Sequence, residues 1–155
     1  MKLIIGSDHA GYPLKEAVCE YLRARGHEVK DIGATFLPDG EIMDPSQRHY
    51  PLVAERAALE VASSACERGI LICGTGIGIG IAANKIPGIR AATCTNHFEV
   101  RYARLHNDIN ILCLGGRILA PEFAFELCDL FLETEFEGGR HAMRVEMIRE
   151  LERKY

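Results

Sequence analysis

A cysteine stands at the head of a glycine-rich stretch in the middle of the chain. Residues 70–85 read ILICGTGIGIGIAANK, so Cys73 ends a short apolar run, and glycines occupy positions 74, 76, 78 and 80. The apolar run is typical of a buried strand, and the glycines indicate a loop that leads into a helix. Glycines allow backbone N–H groups to approach a ligand oxygen closely. The stretch therefore predicts a thiol beside an anion-binding loop, at a sheet edge where ligands bind.

The same glycines fit the common phosphate-binding patterns poorly. The pattern G-x-x-x-x-G-K-[ST] fails because Lys85 is displaced and no hydroxyl residue follows it. Residues 78–83 match G-x-G-x-x-A, but the next strand leads into residues 95–96 and not into an acidic residue for a ribose. Ile79 occupies the place of the arginine that a C-x5-R phosphatase needs. A purely structural role, with Cys73 as a small buried hydrophobe, stays open.

Length and composition restrict the class of protein. A chain of 155 residues suits a single domain, 1–155, with a hydrophobic core of its own. The net charge of -4 provides no basic surface for nucleic acid. The six cysteines form no C-x-x-C pair, which indicates reduced thiols in a cytoplasmic protein. The chain opens directly with a strand pattern, so we expect no signal peptide and no membrane segment.

Apolar runs and turn residues divide the chain into alternating strands and helices. Helices are predicted to begin at Pro13, Pro51, Asn96 and Pro121, with a short one after the glycine loop and a last one after His141. The helix from Pro51 is expected to bury Ala65 and to end at Gly69. Residues 33–49 form a long loop, a candidate rim or lid. Strands are predicted at residues 3–5, 28–32, 70–73, 89–94 and 109–114.

Five strand and helix alternations predict an α/β fold: a three-layer, Rossmann-like, doubly wound sheet of five parallel strands with a C-terminal helix. The strand order is expected to begin 2-1-3. In such a sheet the residues that follow the strands meet at one edge. Asp8 beside His9 could fix the imidazole tautomer for acid-base work. The residues expected at this edge are Asp8, His9, Cys73 to Gly78, Thr95, Gly116 and Arg117.

Two further polar groups lie late in the chain. His106, Asn107 and Asp108 precede the last strand, and they would have to curl over the same edge; a surface or capping role is the alternative. Arg140 and Arg144 are four residues apart, so two guanidinium groups could grip one phosphate if a helix runs through both. The alternative is a solvated helix face. No His or Cys spacing is that of a metal site.

Six motifs, in order and over nearly the whole chain, resemble the type B ribose-5-phosphate isomerases of the ribose, galactose and allose phosphate isomerase family. The resemblance implies a metal-free and cofactor-free interconversion of ribose 5-phosphate and ribulose 5-phosphate. It also implies a homodimer or a dimer of dimers. The motifs are GSDHAG at 6–11, ICGTGIG at 72–78, IAANK at 81–85, GIRA at 88–91, HND at 106–108 and EGGRH at 137–141.

The resemblance assigns roles by position. It implies that Cys73 is the proton-transferring base and His106 the ring-opening acid, with Asp8 and Thr75 also in the catalytic set. The glycine loop would then be an oxyanion hole for the enediolate. Whether the arginines serve their own subunit or its neighbour stays open. The substrate-binding positions implied are Asp8, His9, Gly74, Thr75, Gly76, Ile77, Gly78, Asn107, Arg117, Arg140 and Arg144.

The chain departs from the family pattern at two places. A second branch of the family uses a glutamate base at the position of Ile79, so here the base is expected to be Cys73. The loop 34–49 is longer than the common pattern, and its Asp39, Arg48 or His49 could alter which sugar fits. A hexose 6-phosphate isomerase of the allose or galactose type is therefore an alternative. A non-catalytic module that binds a phosphate metabolite or nucleotide is another.

Overall fold

A five-stranded, all-parallel sheet in the order β2-β1-β3-β5-β4 organises the computed structural model, which describes residues 1–155. The order confirms the predicted 2-1-3 beginning. The elements, in chain order, are β1 (Lys2–Ser7), α1 (Tyr12–Ala24), β2 (Glu28–Asp31), a 3-10 helix (Pro45–Arg48), α2 (Tyr50–Ala62), β3 (Arg68–Cys73), α3 (Ile77–Ala83), β4 (Ala91–Thr93), α4 (His97–Asn107), β5 (Ile111–Gly115), α5 (Pro121–Glu133) and α6 (Arg140–Lys154).

Two apolar clusters, one on each face of the sheet, make the three layers. Side chains alternate between the faces along a strand, so Ile70 and Ile72 of β3 pack with α1, α4 and α5. Leu71 and Cys73 point the other way and pack with α2 and α3. Helix α6 lies outside these layers, against α4. The predicted doubly wound, three-layer fold with a C-terminal helix is confirmed.

Helix α2 is shorter than its sequence pattern predicts. It ends at Ala62, and Ser64 adopts a left-handed conformation (φ 60°) that stops it. The expectation that Ala65 is buried on this helix is wrong, because Ala65 is exposed beyond its end. Gly69 does not close the helix either: it lies in β3, where an added Cβ would meet Ile111 at 3.1 Å. Serines compete locally with helical hydrogen bonds, which explains an end at Ser63–Ser64.

The long loop before α2 has structure of its own. Phe36 and Ile42 form an isolated antiparallel bridge, and Phe36 packs edge-on against Tyr12 with ring centroids 4.6 Å apart. Asp44 caps the 3-10 helix by accepting a hydrogen bond from the backbone N–H of Ser46 at 3.0 Å. These contacts hold the loop against the carboxyl edge of the sheet, consistent with the predicted rim.

Two remaining features concern the state of the cysteines and the apolar length of the helices. All six cysteines are free and buried. No helix combines the length and the apolar character that a membrane crossing requires.

Candidate active site

Cys73 ends β3 and opens onto a cavity of about 550 Å³ at the carboxyl edge of the sheet. Cys73 as a whole is 5% exposed, and its Sγ accepts a hydrogen bond from the backbone N–H of Gly76 at 3.1 Å. The other cysteines line none of the larger cavities, and burial raises the pKa of Cys94 to about 12. Burial likewise raises the pKa of Cys113 and Cys128. Cys73 is therefore the thiol that a ligand can reach.

We call this space the thiol cavity. It brings together eight of the predicted site residues, from the end of β3 and from the turns that follow β1, β3 and β5. Thr95 does not line it, and Gly76 contributes only its N–H bond to the sulfur. The lining residues are Asp8, His9, Ala10, Arg48, Tyr50, Cys73, Gly74, Thr75, Ile77, Gly78 and Arg117.

The glycine loop has unpaired backbone donors in residues that line this cavity. Gly74 and Thr75 both line it, and their N–H groups donate to no acceptor within the chain. Gly76 makes the turn because it adopts φ 79°, a left-handed conformation that favours glycine. Two free N–H groups beside the sulfur can bind a negatively charged oxygen.

The glycine turn should tolerate no side chain at position 76. In Gly76→Ala the new Cβ would lie 2.9 Å from the Leu114 carbonyl carbon, and the left-handed backbone adds strain. We expect a loss of roughly 2–5 kcal/mol in the free energy of unfolding, from backbone strain and overpacking together. Denaturant unfolding measures it.

Gly26→Ala is the matched control. Gly26 has φ 85°, but an added Cβ would meet nothing within 4 Å. It should therefore show the backbone strain alone, about 1–2 kcal/mol. Equal losses for the two variants would contradict the close packing of the turn against β5.

Asp8 shapes the turn after β1. Its Oδ1 accepts hydrogen bonds from the backbone N–H groups of Ala10 and Gly11, at 3.0 and 3.1 Å. It makes no hydrogen bond with His9, so the expectation that Asp8 fixes the His9 tautomer is wrong. The reason is local: a carboxylate at this point satisfies the backbone of its own turn. Asp8 Oδ2 has no partner within the chain and remains available to a ligand hydroxyl in the cavity.

Arg117 and Tyr50 form two more walls. An added Cβ on Gly74 would lie 3.3 Å from Arg117 Nη1, so the guanidinium packs directly over the glycine turn. The Arg117 backbone N–H also donates to the Gly74 carbonyl at 3.0 Å. A Cβ on Gly78 would lie within 2.8 Å of the Tyr50 ring. Glycines at 74 and 78 therefore make room for these two side chains as well as for a ligand.

His106 lies at the opposite edge of the sheet. Helix α4 starts beyond the carboxyl end of β4 and returns antiparallel to it, so its last residues reach the amino end of β5. There the Arg90 Nε donates to the Asn107 carbonyl at 3.1 Å. The expectation that His106 and Asn107 curl over the Cys73 edge is not met within one chain. The intervening strands, of five or six residues, span roughly 16–20 Å at about 3.3 Å per residue.

A second polar group surrounds His106, and we call it the histidine cluster: His106, Glu137, Arg140 and His141. The His106 and His141 rings stack with centroids 3.9 Å apart and planes 6° apart. Glu137 Oε2 lies 3.5 Å from His106 Nε2. Arg140 and Arg144 both belong to α6, one turn apart, as a shared phosphate grip requires. Neither arginine lines the thiol cavity.

The fold also assembles three potential metal ligands that no sequence spacing indicates. Ligand atoms of His106, Glu137 and His141 lie within 4.8 Å of one another. However, Arg140 Nε donates to His141 Nε2 at 3.3 Å, which occupies the lone pair that a metal ion would need. The stacked rings are nearly parallel, so their in-plane lone pairs lie in two parallel planes, whereas two ligands of one ion must converge on it. The cluster is better suited to holding the His106 ring than to holding a metal.

His141 should make the protein less stable in acid. It is 3% exposed, and burial, followed by the nearby His106, lowers its pKa. The unfolded chain therefore binds a proton at His141 more readily than the folded chain does. The contribution of the neutral His141 side chain to the free energy of unfolding is complete above the pKa of histidine in the unfolded chain, about 6.5. This contribution is lost as the pH falls below that value.

The variant His141→Phe retains a ring for stacking but cannot be protonated. We expect its free energy of unfolding to fall less steeply than that of the wild type between pH 7 and pH 5. Denaturant titrations at several pH values measure this slope. Identical slopes for the two proteins would contradict a buried neutral imidazole at position 141.

Fold and cavity together define a class: a parallel α/β protein with a thiol and unpaired backbone N–H groups in a cavity at the carboxyl edge of its sheet. Comparison with known proteins agrees. Residues 3–148 match the family model described as Ribose/Galactose Isomerase. The chain therefore belongs to the ribose/galactose isomerase family, and both the resemblance and the prediction of an isomerase are confirmed.

Individual relatives cover almost the full chain. It is 41% identical to ribose-5-phosphate isomerase B of Escherichia coli K12, over 99% of this chain and 97% of the relative. It is 40% identical to a D-erythrulose-4-phosphate isomerase of Pectobacterium atrosepticum, over 96% and 93%. The solved structure of Clostridium thermocellum ribose-5-phosphate isomerase B superposes with a TM-score of 0.90 at 50% identity, over 100% and 99% of the two chains.

Sequence reasoning missed two walls of the thiol cavity. Tyr50 and Ala10 line it, whereas the sequence places Tyr50 only beside the site and gives neither residue a role. The position of Tyr50, between the long loop and Pro51, was the available signal, because a helix that starts at the carboxyl edge begins beside the ligand. The sequence indicates Arg48 only as a loop residue that could affect which sugar fits.

Proposed function

We propose that this protein interconverts D-ribose 5-phosphate and D-ribulose 5-phosphate, without a metal or cofactor. The observation that carries the proposal is the thiol of Cys73 in one cavity with two unpaired backbone N–H groups, those of Gly74 and Thr75. Moving a proton between adjacent carbons needs a base and a means of stabilising the oxygen charge that develops. Relatives named ribose-5-phosphate isomerase B support the choice of sugar. Six free cysteines suit a cytoplasmic enzyme.

In the proposed mechanism Cys73 acts as the base. Its thiolate takes the proton from C2 of the open-chain aldose, the electron pair of that bond forms the C1–C2 double bond, and the C1 carbonyl oxygen becomes negative. The resulting thiol then returns the proton to C1. The hydroxyl proton leaves O2 as the C2 carbonyl forms, and O1 gains a proton. The Gly76 N–H bond to the sulfur stabilises negative charge there before and after these transfers.

The free N–H groups of Gly74 and Thr75 would hold the enediolate oxygens. Such donors act on charge that is fully developed only during the reaction, and losing one typically costs about 10²–10³-fold in rate. Asp8 Oδ2 is available to accept the substrate hydroxyl proton or its hydrogen bond. Thr75 Oγ1 accepts the N–H of Ile77 at 3.3 Å and so supports the loop.

Ring opening and phosphate anchoring require a second copy of the chain in this scheme. His106, Asn107, Arg140 and Arg144 lie at the far edge, too distant for one sugar phosphate to contact both them and Cys73 within a chain. In a two-fold dimer, one copy can present its far edge to the other's thiol cavity.

Exposed apolar residues on α3 and α4, the helices before and after β4 in the chain, and on α6, which packs against α4, support a homodimer, or a dimer of dimers. Ile81 on α3, Phe98 on α4 and Met147 on α6 are 59%, 71% and 57% exposed. Large exposed apolar side chains that group on one side of a molecule commonly mark an interface.

The activity test is an aldose-to-ketose assay with ribose 5-phosphate, allose 6-phosphate and galactose 6-phosphate, each with and without a chelator. We expect ribose 5-phosphate to react fastest and the chelator to change nothing. No ketose from any sugar would refute the proposed function. Loss of activity in chelator would refute the metal-free mechanism alone.

A hexose 6-phosphate is the second candidate substrate. The long loop and the size of the thiol cavity favour it, since a six-carbon sugar needs more room. A relative of 40% identity is named a D-erythrulose-4-phosphate isomerase, so similarity at this level does not settle the length of the sugar. Faster turnover of allose or galactose 6-phosphate in the same assay would establish this alternative.

A further inference from the structure

One side chain of the edge strand β4 holds the glycine turn. Thr93 ends β4, and its Oγ1 donates a hydrogen bond to the Gly76 carbonyl at 2.8 Å. The same carbonyl also accepts the N–H of Gly80 at 3.2 Å, in the first turn of α3. The Thr93 hydroxyl therefore links the edge strand to the turn that lies beside the sulfur.

Gly76 makes this bond and the bond to the sulfur at the same time. Its N–H donates to Cys73 Sγ at 3.1 Å, while its carbonyl accepts from Thr93. A glycine has more conformational freedom than other residues, so contacts on both sides are needed to hold it in one conformation. The bond from Thr93 restrains the left-handed conformation of Gly76 (φ 79°), and with it the direction of the N–H that reaches the sulfur.

Close packing adds to the hydrogen bond. A Cβ on Gly76 would lie 2.9 Å from Thr93 Cγ2, and a Cβ on Gly80 would lie 2.9 Å from Thr93 Oγ1. Either contact would force the neighbouring atoms to move. Thr93 thus fills the space that the two glycines leave open, and the turn and the start of α3 rest directly on β4.

Hydrogen bonds from other parts of the sheet edge hold the loop on both sides of its free donors. The Gly74 carbonyl accepts the backbone N–H of Arg117 at 3.0 Å, from the turn after β5. The Gly76 carbonyl accepts the Thr93 hydroxyl, from the end of β4. Between these two anchors lies Thr75, whose N–H is unpaired, as is that of Gly74.

We propose that Thr93 is a positioning residue for proton transfer at Cys73. Its hydroxyl holds the turn so that the Gly76 N–H points to the sulfur. It also keeps the free N–H groups of Gly74 and Thr75 in place for the enediolate oxygens. Thr93 does not line the thiol cavity, so it acts through Gly76 and does not touch the substrate. This inference rests on the proposed function and extends it to the edge strand.

The variants Thr93→Ala and Thr93→Ser differ from each other only in the hydroxyl, because both lack the methyl group. We expect Thr93→Ala to lower kcat for ribose 5-phosphate by about two- to tenfold, the worth of one neutral hydrogen bond. KM should change little, because the charge that the turn stabilises is fully developed only in the transition state. Thr93→Ser retains the donor and should retain the wild-type kcat. Steady-state kinetics measures both constants.

Amide hydrogen exchange, followed by NMR, examines the turn without the reaction. The Gly76 N–H should exchange faster in Thr93→Ala than in Thr93→Ser, by a factor similar to the loss of kcat. The rates are compared relative to the amides of the central strand β3, which report on global stability. A change in global stability alone would leave this ratio the same in the two variants.

Asn84→Ala is the matched control. The Asn84 side-chain amide follows α3; it donates to the Ala91 carbonyl at 2.9 Å and accepts the Ala91 N–H at 2.8 Å. Asn84 thereby fastens the other end of the same helix to the same strand. Asn84→Ala should lower stability and leave kcat unchanged. An equal loss of kcat in Asn84→Ala and Thr93→Ala would overturn the proposal, because any loosening of α3 would then suffice.

The outcomes distinguish this inference from the proposed function. Faster Gly76 exchange with an unchanged kcat in Thr93→Ala overturns the positioning role of Thr93 alone. Equal losses of kcat in Thr93→Ala and Thr93→Ser assign the effect to the methyl group and also overturn it. Absence of isomerase activity in the wild type overturns the proposed function. In that case Gly76 exchange still decides whether the hydroxyl holds the turn, and equal exchange in the two variants overturns it.

Discussion

Cys73→Ala is expected to lower kcat for ribose 5-phosphate by roughly 10²–10⁴-fold, the usual contribution of a general base. The reason is that no other ionisable side chain in the thiol cavity combines a hydrogen bond from the glycine turn with a place at the end of the central strand. Substrate binding should persist, because the backbone donors and the arginines stay in place. Steady-state kinetics and calorimetric titration of ribose 5-phosphate measure the two effects separately.

The structural alternative for Cys73 makes a different prediction. If the sulfur only fills space, Cys73→Ala lowers stability and leaves turnover within about a few-fold, as truncation of a core side chain does. Cys66→Ala is the matched control, because Cys66 is 1% exposed in the same core layer and lines none of the larger cavities. We expect Cys66→Ala to lose stability and retain its turnover. Equal turnover in the two variants would contradict Cys73 as the base.

The variant His106→Asn should also lose roughly 10²–10⁴-fold in turnover of the ring form, as expected for a lost general acid. Pairing subunits of this variant with subunits of Cys73→Ala should restore part of the turnover. When subunits of His106→Asn and Cys73→Ala are co-expressed and paired at random, half of the dimers contain one of each. In a mixed dimer one site has both changes and the other has neither, so about a quarter of the wild-type activity returns.

The rescue distinguishes sites shared between copies from sites within one chain. Two copies of the same variant, mixed in the same way, provide the control and should stay inactive. If each chain carried a complete site, every site in a mixed dimer would have one defect and no activity would return. That result would refute the assignment of His106 to a neighbouring subunit's cavity.

The sequence predicts the architecture well because the five strands are short and apolar and helices separate them. It predicts the start of the strand order, but not that β5 would insert between β3 and β4. The reason is that β4 has only three residues, all half-buried. Three residues are too few for an alternation of apolar and polar side chains to show that the strand lies at the edge of the sheet. The end of α2 was missed because Ala65 continues the helical spacing, whereas the left-handed Ser64 decides the boundary.

The same contrast holds for the candidate site. Asp8, Cys73 and Arg117 could be predicted together because carboxyl ends of parallel strands meet at one edge. The expectation that His106 joins them was wrong, because a helix that connects two parallel strands must end at the opposite edge of the sheet. Helix α4 connects β4 to β5, so this rule would have placed His106 at the far edge from the sequence alone. The stack of His106 on His141 depends on the path of residues 134–139, for which the sequence shows no periodic pattern.

The most direct test of proton transfer by Cys73 is isotope exchange. Ribose 5-phosphate is incubated in D2O with the wild type or with Cys73→Ala, and NMR follows deuterium at C1 of the ketose and C2 of the recovered aldose. We predict that the wild type introduces solvent deuterium at both carbons and that Cys73→Ala introduces none over the same time. Labelling by Cys73→Ala at the wild-type rate would contradict the assignment of the base.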